Sequence, residues 1–101
     1  MLILNITSKV AHHIVQDWKE WILAVWMPRM MGTGLFSDCR FCKLNDNDDD
    51  EGMMFVVQLY CDAIEHYDTF LKEHDDTIRQ ESYARFGDAF ISFRTVMEIL
   101  H

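Results

Sequence analysis

Met53-Met54-Phe55-Val56-Val57-Gln58-Leu59-Tyr60-Cys61 is the stretch on which the fold turns. Side chains along a strand alternate between two faces, so this run divides into Met53, Phe55, Val57 and Leu59 on one side and Met54, Val56, Gln58 and Tyr60 on the other. Both sets carry large apolar groups. One face can be covered by the chain's own helices; the other needs a second explanation.

Upstream lies an acidic stretch, residues 46–51, and before it Leu35 to Leu44, which reads as another strand. Its inner face is open: either Leu35, Cys39 and Phe41 or Phe36, Cys42 and Leu44 point inward. Two strands joined by a polar loop make a hairpin. At the start of the chain Leu2, Leu4 and Ile6 alternate with Ile3, Asn5 and Thr7, a further strand. From Ala11 the period lengthens. Ala11, Ile14, Val15, Trp18, Trp21, Ile22 and Val25 recur at three and four, the stripe of an amphipathic helix. Pro28 lacks an N–H and should end or kink it, and Gly32 and Gly34 supply the turn.

Downstream, Ala63 to His74 is a second amphipathic helix with Ile64, Tyr67, Leu71 and His74 aligned. Asp75-Asp76-Thr77 interrupts it, and Thr77 with Gln80 resembles a capping box that restarts a helix. Gly87 stops it. A last strand runs from Ala89 to Leu100, with Ile91, Phe93, Thr95, Met97 and Ile99 on one face and Phe90, Ser92, Arg94, Val96, Glu98 and Leu100 on the other. The order is βαββαβ, which predicts one α+β domain over residues 1–101, its four-stranded antiparallel sheet carrying both helices on one face.

If Leu4, Val57 and Phe93 with their same-face neighbours meet the helices, the opposite face carries Ile3, Met54, Val56, Tyr60, Phe90, Val96 and Leu100. A contiguous apolar patch of that size marks a contact surface, and the expectation is a homodimer packed through the helix-free face. Asn5, Gln58, Tyr60 and Arg94 would then line a cavity between the two sheets. A guanidinium there must be paired or solvated, so Arg94 is the natural anchor for a small polar or anionic ligand.

Composition narrows the field. Half of the 101 residues are apolar and 13% are aromatic, enough for a packed core and too much for a disordered chain. Residues 46–51 hold five of the seventeen acids, so much of the net charge of −8 is local. No basic stripe marks a nucleic-acid groove or an anionic-membrane surface. The opening Leu2-Ile3-Leu4 lacks the basic lead and length of a signal peptide, no apolar run approaches a membrane span, and three cysteines fit a reducing compartment. The expected location is the cytoplasm.

No chemical motif is complete. Cys39-Arg40-Phe41-Cys42 falls in a strand, where a spacing of three sends the thiols to opposite faces, and no second pair completes a zinc site. Asp46, Asp48 and Asp50 alternate like the start of a calcium loop, but Glu51 stands where the sharp turn needs glycine. Adjacent His12 and His13 diverge by about 100° on a helix and do not share a metal. Neither metal nor cofactor is expected. Trp26, off the stripe and beside Pro28, either walls a pocket or packs on a partner. His74 sits on an inward stripe, where its near-neutral pKa allows an acid, base or ligand contact.

Thr33-Gly34-Leu35-Phe36, Glu73-His74, Arg85-Phe86-Gly87 and Phe93-Arg94-Thr95, in this order and spacing, resemble the small bacterial proteins of the domain-of-unknown-function family DUF4286. The resemblance covers nearly the whole chain and implies a ferredoxin-like, dimeric α/β-barrel fold, with no activity attached. This chain departs from the family pattern at Trp26-Met27-Pro28, where members tend to have His-Ile-Pro, at Asp75-Asp76 for Ala-Pro, and at Ser82 for a histidine. The expected function is ligand binding by a homodimer; the alternative, by analogy with the wider fold group, is a small cofactor-free monooxygenase-like or haem-handling enzyme.

Overall fold

The computed structural model describes residues 1–45 and 48–101. Four strands, β1 (Leu2–Val10), β2 (Asp38–Lys43), β3 (Met53–Cys61) and β4 (Phe90–Glu98), form one antiparallel sheet in the order β2-β3-β1-β4. The helices α1 (Val15–Trp21), α2 (Met27–Met31), α3 (Ile64–Glu73) and α4 (Asp75–Phe86) fill the two crossovers. Leu4, Ile6 and Val10 of β1 and Phe55, Val57 and Leu59 of β3 are buried beneath them. At the centre Trp18 packs on Phe55 and Phe41, with ring centroids 5.3 and 5.7 Å away.

The first helical stretch is continuous through Pro28, against the expected end or kink. It opens with a 3-10 turn (His12–Ile14), runs through α1, widens to a π-helical turn (Ile22–Trp26) and closes as α2. Trp18, Ile22, Trp26 and Met30 are all buried, a strict four-residue row. In an α-helix each four-residue step overshoots a full turn by about 40°, so such a row drifts around the helix. The wider turn, where the Met27 N–H donates to the Ile22 carbonyl five residues back, turns less per residue and brings the row back to the sheet. Trp26 is therefore inside and Val25, placed on the expected stripe, is exposed.

The second helix breaks at His74 and restarts at Asp75, not at the Thr77 capping box. Asp75 and Asp76 occupy the first turn of α4, where carboxylates suit the helix dipole. Gly87 caps its end with φ +59°, a conformation costly for other residues. β2 is shorter than expected, and its inner residues are Cys39 and Phe41, opposite Leu59 and Val57. A side chain at Gly52 would collide with the Val10 carbonyl, which fixes how the β2–β3 hairpin closes over β1.

One expectation is overturned in β4. Directly opposed residues of an antiparallel pair share a face. Ile6 opposes Arg94 and Ser8 opposes Ser92, so Phe90, Ser92, Arg94 and Val96 face the helices, and Ile91, Phe93, Thr95 and Met97 face away. Alternation shows which residues of a strand travel together; only the register shows which set goes in. The helix-free face thus keeps Ile3, Met54, Val56 and Tyr60 but gains Ile91, Phe93 and Met97 in place of Phe90 and Val96, while Leu100, expected in the strand, lies beyond its end at Glu98. Phe93, Ile91 and Met97 are 60%, 56% and 38% exposed.

Candidate functional site

Between the first helical stretch, α4 and the β1–β4 side of the sheet lies a cavity of about 450 Å³. That is within the range of small-molecule pockets. The four-residue helical row explains its wall: Trp18, Ile22, Trp26 and Met30 project onto it, joined by Trp21, so all three tryptophans of the chain line one space. Ile6 and Val57 form the floor with Ser8, and Phe90, Ser92 and Arg94 form the β4 side. From α4 come Ile78 and Ser82, with the exposed Arg79 and Tyr83 beside the opening.

The polar groups are few and specific. Asp75, 6% exposed, accepts a hydrogen bond of 2.7 Å at Oδ1 from Arg94 Nη2. Arg79 Nη1 stands 3.8 Å from the other carboxylate oxygen. A guanidinium has five N–H donors, and Arg94 engages one of them. Among the described residues the other four have no protein partner. Two arginines flank one buried carboxylate here, and Asp88 adds a second carboxylate to the cavity lining. The Ser8 and Ser92 hydroxyls lie 2.7 Å apart, and Ser82 Oγ donates to the Ile78 carbonyl at 3.1 Å.

The residues singled out from the sequence are dispersed. Arg94 and Trp26 line the helix-side cavity. Asn5, Gln58 and Tyr60 lie on the opposite face, where Gln58 Nε2 donates to Asn5 Oδ1 at 3.2 Å. Arg94 is therefore not part of a site between two sheets: its register partner Ile6 points at the helices, and its charge is met by Asp75 there. His74 lies at the α3–α4 break, 4.0 Å from Glu73, outside the cavity. Ser8, Asp75, Arg79, Ser82, Tyr83 and Ser92 were not singled out. Their signal was present: Ser92 and Arg94 sit between Phe90 and Val96 on one strand face, and Asp75 shares a helical stripe with Ile78, Ser82 and Phe86.

The remaining motifs are structural. Cys39 faces the helices and burial pushes its thiol up to about 11, while Cys42 is exposed on the other face and Cys61 is buried. Among the described residues no three His, Cys, Asp or Glu side chains converge on a metal position. Asp46, the first residue of the calcium-loop reading, lies outside the described residues. Asp49 instead accepts the Glu51 and Gly52 N–H groups and pairs with Lys9.

The chain matches the family described as domain of unknown function (DUF4286) over residues 1–100, and it belongs to that family. Nothing among curated proteins matches it. Several solved structures share its fold at low identity. A dimeric ferredoxin-like protein from an uncultured marine organism has a TM-score of 0.72 and 10% identity, over 99% of this chain and 95% of that one. HapK from Hahella chejuensis gives 0.74 and 8%, over 99% and 93%. A point variant of MhuD with two manganese protoporphyrin IX bound per active site gives 0.64 and 9%, over 98% and 95%. These likenesses show a ferredoxin-like fold.

Proposed function

We propose that this DUF4286 member is a homodimeric binding protein whose helix-side cavity holds a small molecule with a flat apolar body and an acidic head. The observation that carries the reading is the cavity's polarity: three tryptophans on one wall, and at the β4 end an arginine with most of its donors unspent. Asp75 holds Arg94 in place, and Arg79 stands beside the same carboxylate. The ligand class expected from the sequence is kept; its place moves from between two sheets to between sheet and helices.

Self-association supports the other half of the reading. Phe93, Ile91 and Met97 are exposed beside Ile3, Met54 and Val56, and proteins of the same fold are described as dimeric. A second copy packed about a two-fold axis buries the same patch on both chains. Asn5 and Gln58, already bonded to each other, then sit in the interface without an orphaned amide pair. Three free cysteines favour a reducing cytoplasm, and no described helix is long and apolar enough to cross a membrane.

Among the described residues no histidine or cysteine lines the cavity, so in the haem-handling alternative the iron would fall to Tyr83 or Met30. A cofactor-free monooxygenase would use the same space and is the second reading, favoured by the aromatic enclosure alone; oxygen uptake with a bound acid would reveal it. The binding reading is tested by titrating cinnamate against tryptophan fluorescence. Saturable quenching is expected, weakened at least tenfold by Arg94→Lys, which keeps a charge but loses the fork. Equal binding of cinnamate and its neutral amide would contradict it.

A further inference from the structure

Resting on the cavity reading above, we propose that the Ser8–Ser92 hydroxyl pair determines its specificity, selecting aromatic acids that carry a second oxygen at the end away from the carboxylate. Ser8 is buried in a row of β1 otherwise made of Leu4, Ile6 and Val10. A hydroxyl at such a place loses water and recovers the loss only through hydrogen bonds. It has one, to Ser92 directly across the sheet at 2.7 Å.

Two hydroxyls hold two protons, and only one lies between the oxygens. Among the described residues the second proton and the spare lone pairs have no protein partner; Ser8 is buried, Ser92 is exposed, and both line the cavity, so the pair presents its spare hydrogen-bonding capacity at the cavity's open side. The pair is uncharged across the ordinary pH range, so it discriminates by hydrogen bonding and leaves charge recognition to Arg94.

Position sets the ligand's shape. Ser92 and Arg94 are two residues apart on one face of β4, so their backbones are about 7 Å apart along the strand. A carboxylate held by Arg94 directs an aromatic ring along the tryptophan wall. On this proposal the ring oxygen opposite the carboxylate is the group the serines meet: a carbonyl accepts their free proton, and a phenol also donates to a lone pair. The class is 4-hydroxy or 4-oxo aromatic acids.

The full chain is titrated with 4-hydroxycinnamate and with cinnamate. The hydroxylated acid should bind about tenfold tighter, the worth of one well-made hydrogen bond. Ser8→Ala and Ser92→Ala should each bring the two affinities together, abolishing that preference, and Ser92→Thr should retain it. Binding of both acids with equal affinity, or a preference that survives both alanine variants, would overturn the serine assignment and leave the cavity reading standing. Failure of both acids to bind would remove the cavity reading and this inference together. Ser92 lies on an edge strand, so its variants fold even where Ser8→Ala does not.

Discussion

On the helix face of the sheet, β1 and β3 send Leu4, Ile6, Phe55, Val57 and Leu59 into a core closed by Trp18 and Phe70. On the opposite face the same strands present Ile3, Met54, Val56 and Tyr60 half-covered, and β4 adds Ile91, Phe93 and Met97 in the open. The two faces are nearly equal in apolar content and unequal in what meets them. Apolarity measures how much a surface gains by leaving water; it does not say whose surface covers it. The polar residues carry that information. Arg94 and Ser92 lie where Asp75 and Ser8 can meet them, and those partners exist only on the helix side.

The comparison is tested most sharply by one substitution made at two adjacent positions. Val57→Asp places an unpaired carboxylate on the buried helix side, at the cavity floor, a cost of about 3–5 kcal/mol and a large share of a small domain's stability. Thermal melts should show little folded protein. Val56→Asp places the same charge on the open face; the chain should still melt cooperatively, as a monomer. Equal loss at both positions would mean that the chain itself seals both faces.

The next effect down concerns Arg94. Arg94→Ala leaves the buried Asp75 with only Arg79 at 3.8 Å. Denaturant unfolding should show a loss of about 2–3 kcal/mol, the penalty of a buried group left without its partner. Adding Asp75→Asn should recover part of it, a coupling that a double-mutant cycle measures. No loss on Arg94→Ala would place that side chain in solvent rather than against α4.

Much of the fold was legible because alternation and helical spacing are local. The strand order, the two crossovers, the Gly87 stop and the opposed thiols of Cys39 and Cys42 follow from neighbours in the chain. The candidate site was legible only in pieces. Arg94 and Trp26 were singled out for their chemistry, yet Arg94 was assigned to the wrong face because Phe93 and Met97 outweigh Phe90 and Val96 as core residues. Trp26 fell off an ideal α-helical stripe that the π-turn does not obey. Asp75, Ser8 and Ser92 are unremarkable as letters and gain meaning only from a register set 19 to 84 residues away.

The smallest effect lies at the hairpin, outside both faces. Hydrogen bonding from Lys9 holds the Asp49 carboxyl below the usual aspartate range, and Asp49 in turn raises the Lys9 ammonium. A carboxylate with a depressed pKa stabilises the fold above its unfolded pKa, and that contribution is lost as pH falls through the folded value. An NMR titration should find the Asp49 midpoint depressed, and Lys9→Met should return it toward normal. Both groups are exposed, so the melting temperature should barely move.

The proposed division of labour between the faces has a second copy covering the open one. Sedimentation equilibrium of the wild-type chain and Phe93→Asp at micromolar concentration addresses it directly. The wild type should sediment at twice the chain mass of 12.0 kDa and the variant at 12.0 kDa, with the tryptophan-lined cavity still able to take cinnamate. A wild-type chain that sediments as a clean 12.0 kDa monomer would contradict the account.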